Sequence, residues 1–226
     1  MALAPIPTTP GAARAVSTGL VIRWYGTSKE VIITNTTTVA DRFPATLTVL
    51  QKALLEAKDA TGSDGNPMWG RIFDSITGII FLGTPFRGSE GMRMNEMLEY
   101  VRNKHEGVQG EVLRVLERKD EYLKDLVHRF GMTRKLPNSA KVTCFYELKE
   151  SNVGAIVRRA ERQMEIVVDE SSGCLDSTEK YSLGRDHFEM NKFDKFDDED
   201  FSIVRNEITD MMDQAPGLFL ARRRGK

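Results

Sequence analysis

The sequence is short of the residues that build stapled or metal-held folds. Its 226 residues include only two cysteines, Cys144 and Cys174, and three histidines. Two thiols cannot make a disulfide framework or a four-thiolate zinc site. There is no charge excess either: 32 Lys and Arg stand against 33 Asp and Glu, a net charge of −1. Without a basic surplus to displace counterions, nucleic-acid binding has no electrostatic support. No uninterrupted apolar run reaches the length that crosses a bilayer, so no transmembrane segment is expected. Internal repeats and low-complexity tracts are also missing. What remains is the composition of a soluble, intracellular α/β domain, with 40% hydrophobic residues and ample length for a core.

The first acidic residue is Glu30, preceded by Arg14, Arg23 and Lys29 among Ala, Thr, Ser and Pro. That composition fits a mitochondrial transit peptide. Pro5, Pro7 and Pro10 oppose a regular amphipathic helix over the same stretch. Residues 1–45 therefore read as an irregular or divergent N-terminal segment. Cytoplasmic location is expected, with mitochondrial import as the alternative.

Five β-branched apolar stretches read as strands: Gly19–Tyr25, Glu30–Thr36, Ile76–Gly83, Lys141–Leu148 and Met164–Asp169. The third is apolar on both alternating faces, as in a strand covered by helices on each side. Helical spacing appears over Thr46–Lys58, Glu90–Lys104 (Met94, Met97, Leu98 and Val101) and Val108–Phe130 with Gly131 as a stop. A last helix is expected over Asp198–Met212, with Asp198, Glu199 and Asp200 complementing its dipole. Alternating strands and helices predict an α/β fold: three layers, a mostly parallel sheet, and helices on both faces. Residues 46–214 form the expected domain, and 215–226, ending in Arg222-Arg223-Arg224-Gly225-Lys226, a solvated basic tail.

In such sheets chemistry gathers at the carboxyl ends of the strands. The third strand runs into Thr84-Pro85-Phe86-Arg87-Gly88-Ser89, a candidate pocket loop in which Ser89 reads as the cap of a helix from Glu90 rather than as a nucleophile. The fourth ends at Glu147, with Glu150 just beyond. A carboxylate there can orient an imidazole or simply pair with a surface cation. His187 follows the last strand and precedes the last helix, whereas His105 and His128 sit in charged, helical contexts. Acid after one strand and histidine after the next is the Ser…Asp/Glu…His order of α/β-hydrolases.

Three segments carry a family resemblance. Ile79-Ile80-Phe81-Leu82-Gly83-Thr84-Pro85-Phe86-Arg87-Gly88-Ser89 resembles the "GIIFLGTPHRGS" signature of lipase-like serine hydrolase domains. Lys141–Glu147 is similar to their "I-x-C-F-Y-E" strand, and Asp186–Phe193 to their "D-H-x-x-M-x-K-F" segment. Such domains are common in fungi as the N-terminal effector domain of NACHT or NB-ARC NOD-like proteins (the Ses-B type). They are similar to the phosphatidylglycerol-remodelling serine-active-site proteins of mitochondria. The resemblance, over roughly Ala53 to Met212, implies an α/β-hydrolase fold, His187 as catalytic base and Glu147 as its acid, with Glu150 the alternative. Asp186 is poorly placed to aim at the neighbouring ring. Ester or lipid ligands are implied, with no cofactor and no metal.

The resemblance implies a nucleophile in a "G-H-S-L-G-G" elbow ahead of the helix seen here as Thr48–Ala57. Upstream stand Asp41-Arg42-Phe43-Pro44-Ala45-Thr46, and no Gly-x-Ser-x-Gly occurs in the sequence. The elbow's strained turn has no room for side chains such as those of Phe43 and Pro44. Ser28, Thr34, Thr36, Thr37 and Thr38 are nearby hydroxyls, more simply read as β-propensity, and Ser63 lies beyond the helix. Phe86 replaces the histidine of "TPHRGS". The expectation is an N-terminally truncated, incomplete α/β-hydrolase fold, non-catalytic, with a binding or signalling-effector role. An active serine esterase using His187, or an interaction module of a NOD-like protein with a protein partner or self-association, are the alternatives. Asp194–Asp200 lacks the alternate-position ligands and glycine of a calcium loop. The 83–88 loop lacks the Gly-Lys-Ser/Thr ending of a nucleotide-binding loop.

Overall fold

The computed structural model describes residues 18–25, 28–35, 55, 74–84, 86–87, 119–153 and 162–224. Seven strands and three helices fall within them. Strands β1 (Thr18–Tyr25) and β2 (Ser28–Asn35) form an antiparallel hairpin in which Tyr25 faces Ser28. β3 (Ile76–Leu82) is followed by helix α1 (Lys119–Arg134) and β4 (Lys141–Glu147). A two-residue ribbon, β5 (Ser151–Asn152) with β6 (Met164–Glu165), leads to the single-turn helix α2 (Glu170–Gly173). β7 (Glu179–Leu183) and the long helix α3 (Glu199–Arg224) complete the fold.

The main sheet has the order β2-β1-β3-β4-β7. β3, β4 and β7 run parallel, while β1 is antiparallel to both β2 and β3. The sheet is thus mixed rather than mostly parallel throughout. The reason lies in the connection: two residues separate β1 from β2, and parallel neighbours need a crossover of about a dozen or more. The α/β class holds for the β3–β4–β7 half.

All seven residues of β3 are buried, as its doubly apolar sequence requires. On one face Ile79, Phe81, Val142 and Cys144 pack with Phe130 of α1 and with Cys174 and Leu175 beyond α2. On the other, Ile80, Leu82, Phe145 and Leu183 pack with Val204 and Met211 of α3. Helices therefore cover both faces, giving three layers. α3 comes very close at Gly78, where any Cβ would lie 2.7 Å from the Met211 sulfur.

Several expected boundaries move. The strand expected over 164–169 is only two residues long, because the Val167 and Val168 amides turn inward to a side chain. The third parallel strand is instead Glu179–Leu183, whose charged start hid it. Glu179 and Lys180 are exposed at the sheet edge, where charge discourages pairing with another chain. α1 continues through Gly131 to Arg134, so that glycine is not a stop. α3 runs on to Arg224, so residues 215–224 are not a solvated tail. Ala215 is buried, and Arg222 donates to the carbonyls of Asn138 (2.7 Å), Asp74 (2.7 Å) and Ile76 (2.6 Å). Those carbonyls supply the reason for helix to persist despite Pro216. The helix expected over 46–58 is represented by buried Leu55 alone, and that over 90–104 lies outside the described residues.

Candidate active site

At the carboxyl end of β4, Glu147 meets His187, which lies four residues past β7. Glu147 Oε2 is 2.8 Å from His187 Nδ1, and neither side chain has any solvent exposure. β4 and β7 are adjacent parallel strands with Glu147 opposite Leu183. An acid at one strand end and a histidine just beyond the next are thereby delivered to the same place.

The carboxylate is held from its other oxygen. Glu147 Oε1 accepts hydrogen bonds from the amides of Val167 (2.5 Å) and Val168 (3.0 Å). These amides follow β6, outside the main sheet, and grip the acid that ends β4. Two backbone donors plus an imidazole meet the demands of a buried carboxylate, which would otherwise be costly to desolvate. The β5–β6 ribbon also holds the histidine: buried Ser151 of β5 accepts a hydrogen bond from the His187 amide at 3.1 Å.

The ring rests on Gly83. This residue has φ +57°, and a Cβ there would lie 3.3 Å from both Nδ1 and Cε1 of His187. Glycine is favoured here on two counts, left-handed backbone and close approach. Its amide donates to the Phe145 carbonyl at 2.9 Å, fixing the end of β3 against β4. The Phe188 ring stands edge-on to the imidazole, 5.4 Å between centroids.

Asp186 has other work. Its Oδ1 accepts from the amides of Phe188 (2.9 Å) and Glu189 (3.1 Å), capping the turn that carries His187. Glu150 is exposed and His128 is exposed on α1. Arg185 ties the turn to the start of α3 through Asp198 and through Asp200 at 3.1 Å, and lies 4.6 Å above the Phe193 ring. Asp198 also caps α3, accepting from the Phe201 amide at 3.0 Å. Asp198 and Asp200 of the acidic stretch are thus engaged by Arg185, the Phe201 amide and the Gly184 amide. Among the described residues no group of three or more His, Cys, Asp or Glu is arranged to hold a metal ion.

The loop after β3 divides. Thr84 is buried, and Phe86 is buried in the core, edge-on to Phe81 at 5.0 Å. Phe86 is thus core packing rather than pocket wall. Arg87 donates to the carbonyls of Ser171 (2.6 Å) and Cys174 (3.0 Å) and to Asp176 (2.8 Å). With the Phe86 amide on the Ser172 carbonyl at 2.8 Å, it fastens the loop to α2. Asp169, directly after the Glu147-gripping amides, caps α2 through the Ser172 amide at 2.8 Å. Pro85, Gly88 and Ser89 lie outside the described residues.

Sequence reasoning did not foresee Ser151 or the amides of Val167 and Val168. Backbone donors leave no trace in residue identity, and 167–168 read as ordinary β-branched strand. Of the candidate hydroxyls, Ser28 and Thr34 lie on the edge strand β2, three strand spacings from β4, roughly 14 Å at minimum. Thr36, Thr37, Thr38 and Ser63 are outside the described residues.

A carboxylate at Nδ1 selects the tautomer with the proton on Nδ1, leaving Nε2 as the basic nitrogen. The pair can therefore act as an oriented general base, and the carboxylate stabilises the ring when it takes a proton. A groove of about 660 Å³, lined by Arg134, Lys141, Thr178 and Gln214 among others, lies at the opposite, amino ends of the parallel strands and does not include this pair.

No family model matches the chain, and no curated protein and no solved structure matches it.

Proposed function

We propose that this chain is a lipase-like α/β-hydrolase domain that retains the acid–histidine pair and lacks the serine elbow, so that it binds rather than cleaves. The Glu147–His187 contact of 2.8 Å at the carboxyl ends of adjacent parallel strands carries this reading. The absence of any Gly-x-Ser-x-Gly from these 226 residues argues against covalent acyl transfer by them. Ester or lipid groups are the proposed ligands, and a signalling-effector role of the NOD-like type is the proposed context. An oriented base without its nucleophile gives at most about a hundred- to ten-thousand-fold of rate.

A serine-directed fluorophosphonate probe tests the reading. The native chain should stay unlabelled. Stoichiometric labelling of the native chain, lost on heat denaturation and lost in His187→Ala, would overturn it in favour of an active serine esterase.

A further inference from the structure

The groove at the amino ends of the parallel strands holds about 660 Å³, within the roughly 300–1,000 Å³ of small-molecule pockets. Its walls are the turns that lead into β4 and β7 and one face of α3. Gln214, Gly217, Leu218 and Ala221 line it at helical spacings of three and four, so a single stripe of α3 borders it.

Three observations mark the groove as a ligand site. The first is a cation. Arg134, the last residue of α1, lines the groove half-buried and spends its bonds on neutral groups. Its guanidinium donates to the carbonyls of Asp176 at 3.0 Å and Ser177 at 2.6 Å. The Asp176 carboxylate is taken by Arg87 at 2.8 Å. Carbonyls position a guanidinium without cancelling its charge, and they leave some of its donors unspent. Lys141, by contrast, is answered by Glu207 at 2.7 Å. Glu179 also lines the groove, but it is exposed, and solvent screens its charge.

The second is the backbone. Among the described residues only Asn138 and Ser177 have a positive φ without being glycine, +57° and +58°, and both line the groove. Left-handed backbone is unfavourable for a side chain such as that of serine, and such residues gather at ligand clamps. Here the Ser177 turn presents a carbonyl that fixes Arg134. The third is space. Gly217 stands inside α3, where glycine weakens a helix, yet a Cβ there would meet no atom of the described residues within 4 Å. Packing does not call for that glycine; an occupant of the groove would.

We infer that the groove binds a small organic carboxylate with an apolar body, its head on Arg134 and its body along Leu218 and Met211. One guanidinium stands unanswered by a carboxylate, which selects a monoanion, and its planar fork matches two carboxylate oxygens. Leu218, Ala221 and buried Met211 supply the apolar wall. The site lies at the opposite strand ends from the Glu147–His187 pair and stands whether or not that pair has a ligand.

Isothermal titration calorimetry on the full chain at neutral pH, with octanoate, 1-octanol, octylammonium and acetate as probes, tests the site. Octanoate should bind saturably, at one site per chain. The other three should bind about tenfold more weakly or worse, since each lacks the negative charge or the apolar body. Gly217→Leu puts a side chain into the groove without a clash in the described fold, and should weaken octanoate about tenfold or more. Arg134→Met should do the same. The inference is overturned if octanoate gives no saturable binding, or if any of the other probes matches it. It is overturned equally if Gly217→Leu binds octanoate as well as the native chain does. Should Arg134→Met not fold, the probe comparison on the unaltered chain and Gly217→Leu decide the matter.

Discussion

Two carboxylates are buried against β4, one at each end, and they are held in different ways. At the amino end Glu207 of α3 receives Thr143 Oγ1 and Lys141 Nζ, each at 2.7 Å. At the carboxyl end Glu147 receives two backbone amides and an imidazole. The Lys141 partner keeps 29% of its side chain in solvent, whereas both members of the Glu147 pair have none. The first arrangement is a helix tethered to a sheet by a half-exposed, charged lysine. The second gives its acid to an imidazole and two backbone amides and hides both side chains from water. The difference separates an ion pair that fastens a helix from a buried, hydrogen-bonded acid–imidazole pair.

The largest contrast comes from removing each acid. Glu147→Ala strands two amides and an imidazole in a dry site and should cost about 3–5 kcal/mol, the range for breaking a buried pair. Glu207→Ala leaves a lysine that can turn to water and a hydroxyl that can rotate, and should cost about 1–3 kcal/mol. Urea unfolding of both variants checks the order; equal losses would erase the distinction. Arg222→Ala removes three donor contacts from the amino-end side and should cost about 1–3 kcal/mol by the same measurement, with the midpoint shifted and the slope retained.

Gly83→Ala sharpens the carboxyl-end half of the comparison. The left-handed backbone costs roughly 1–2 kcal/mol, and the methyl must displace the His187 ring. The imidazole resonances should shift in nuclear magnetic resonance spectra, while Lys141 resonances stay in place. The smallest effect is alkaline. Burial lowers the Lys141 pKa, but the hydrogen bond and charge of Glu207 outweigh it, and the folded value stands above the ordinary one. The tether's contribution is therefore full below the unfolded pKa of about 10.4 and fades as pH rises through the higher folded value. Lys141→Met should flatten that alkaline decline by less than about 1 kcal/mol.

The fold's legibility in the sequence followed burial. β3 and β4 were readable because apolar residues on both faces leave few other structures for them. β7 was not, since Glu179 and Lys180 at a sheet edge have the pattern of a loop. The antiparallel hairpin was readable in principle from the short gap after Tyr25, although strand content alone pointed to a parallel sheet. Glu147 and His187 were found by their order after strands and by family resemblance, and their side chains lie in contact. Their supports were hidden, because amides and a lone serine carry no signature. The basic end misled for a simple reason: charge marks solvent, yet Arg222 uses its charge on carbonyls 146 and 148 residues earlier in the chain.

That arginine has a bearing on how the molecule is made. The carbonyls of Asp74 and Ile76 emerge early from the ribosome, and their guanidinium partner emerges late. During synthesis the entry into the central strand must stay hydrated or borrow passing donors, and the structure can close there only after the last turn of α3 is released. Contacts of such long separation are slow to form, so the joint between the entry to β3 and Arg222 of α3 closes after the local elements have formed.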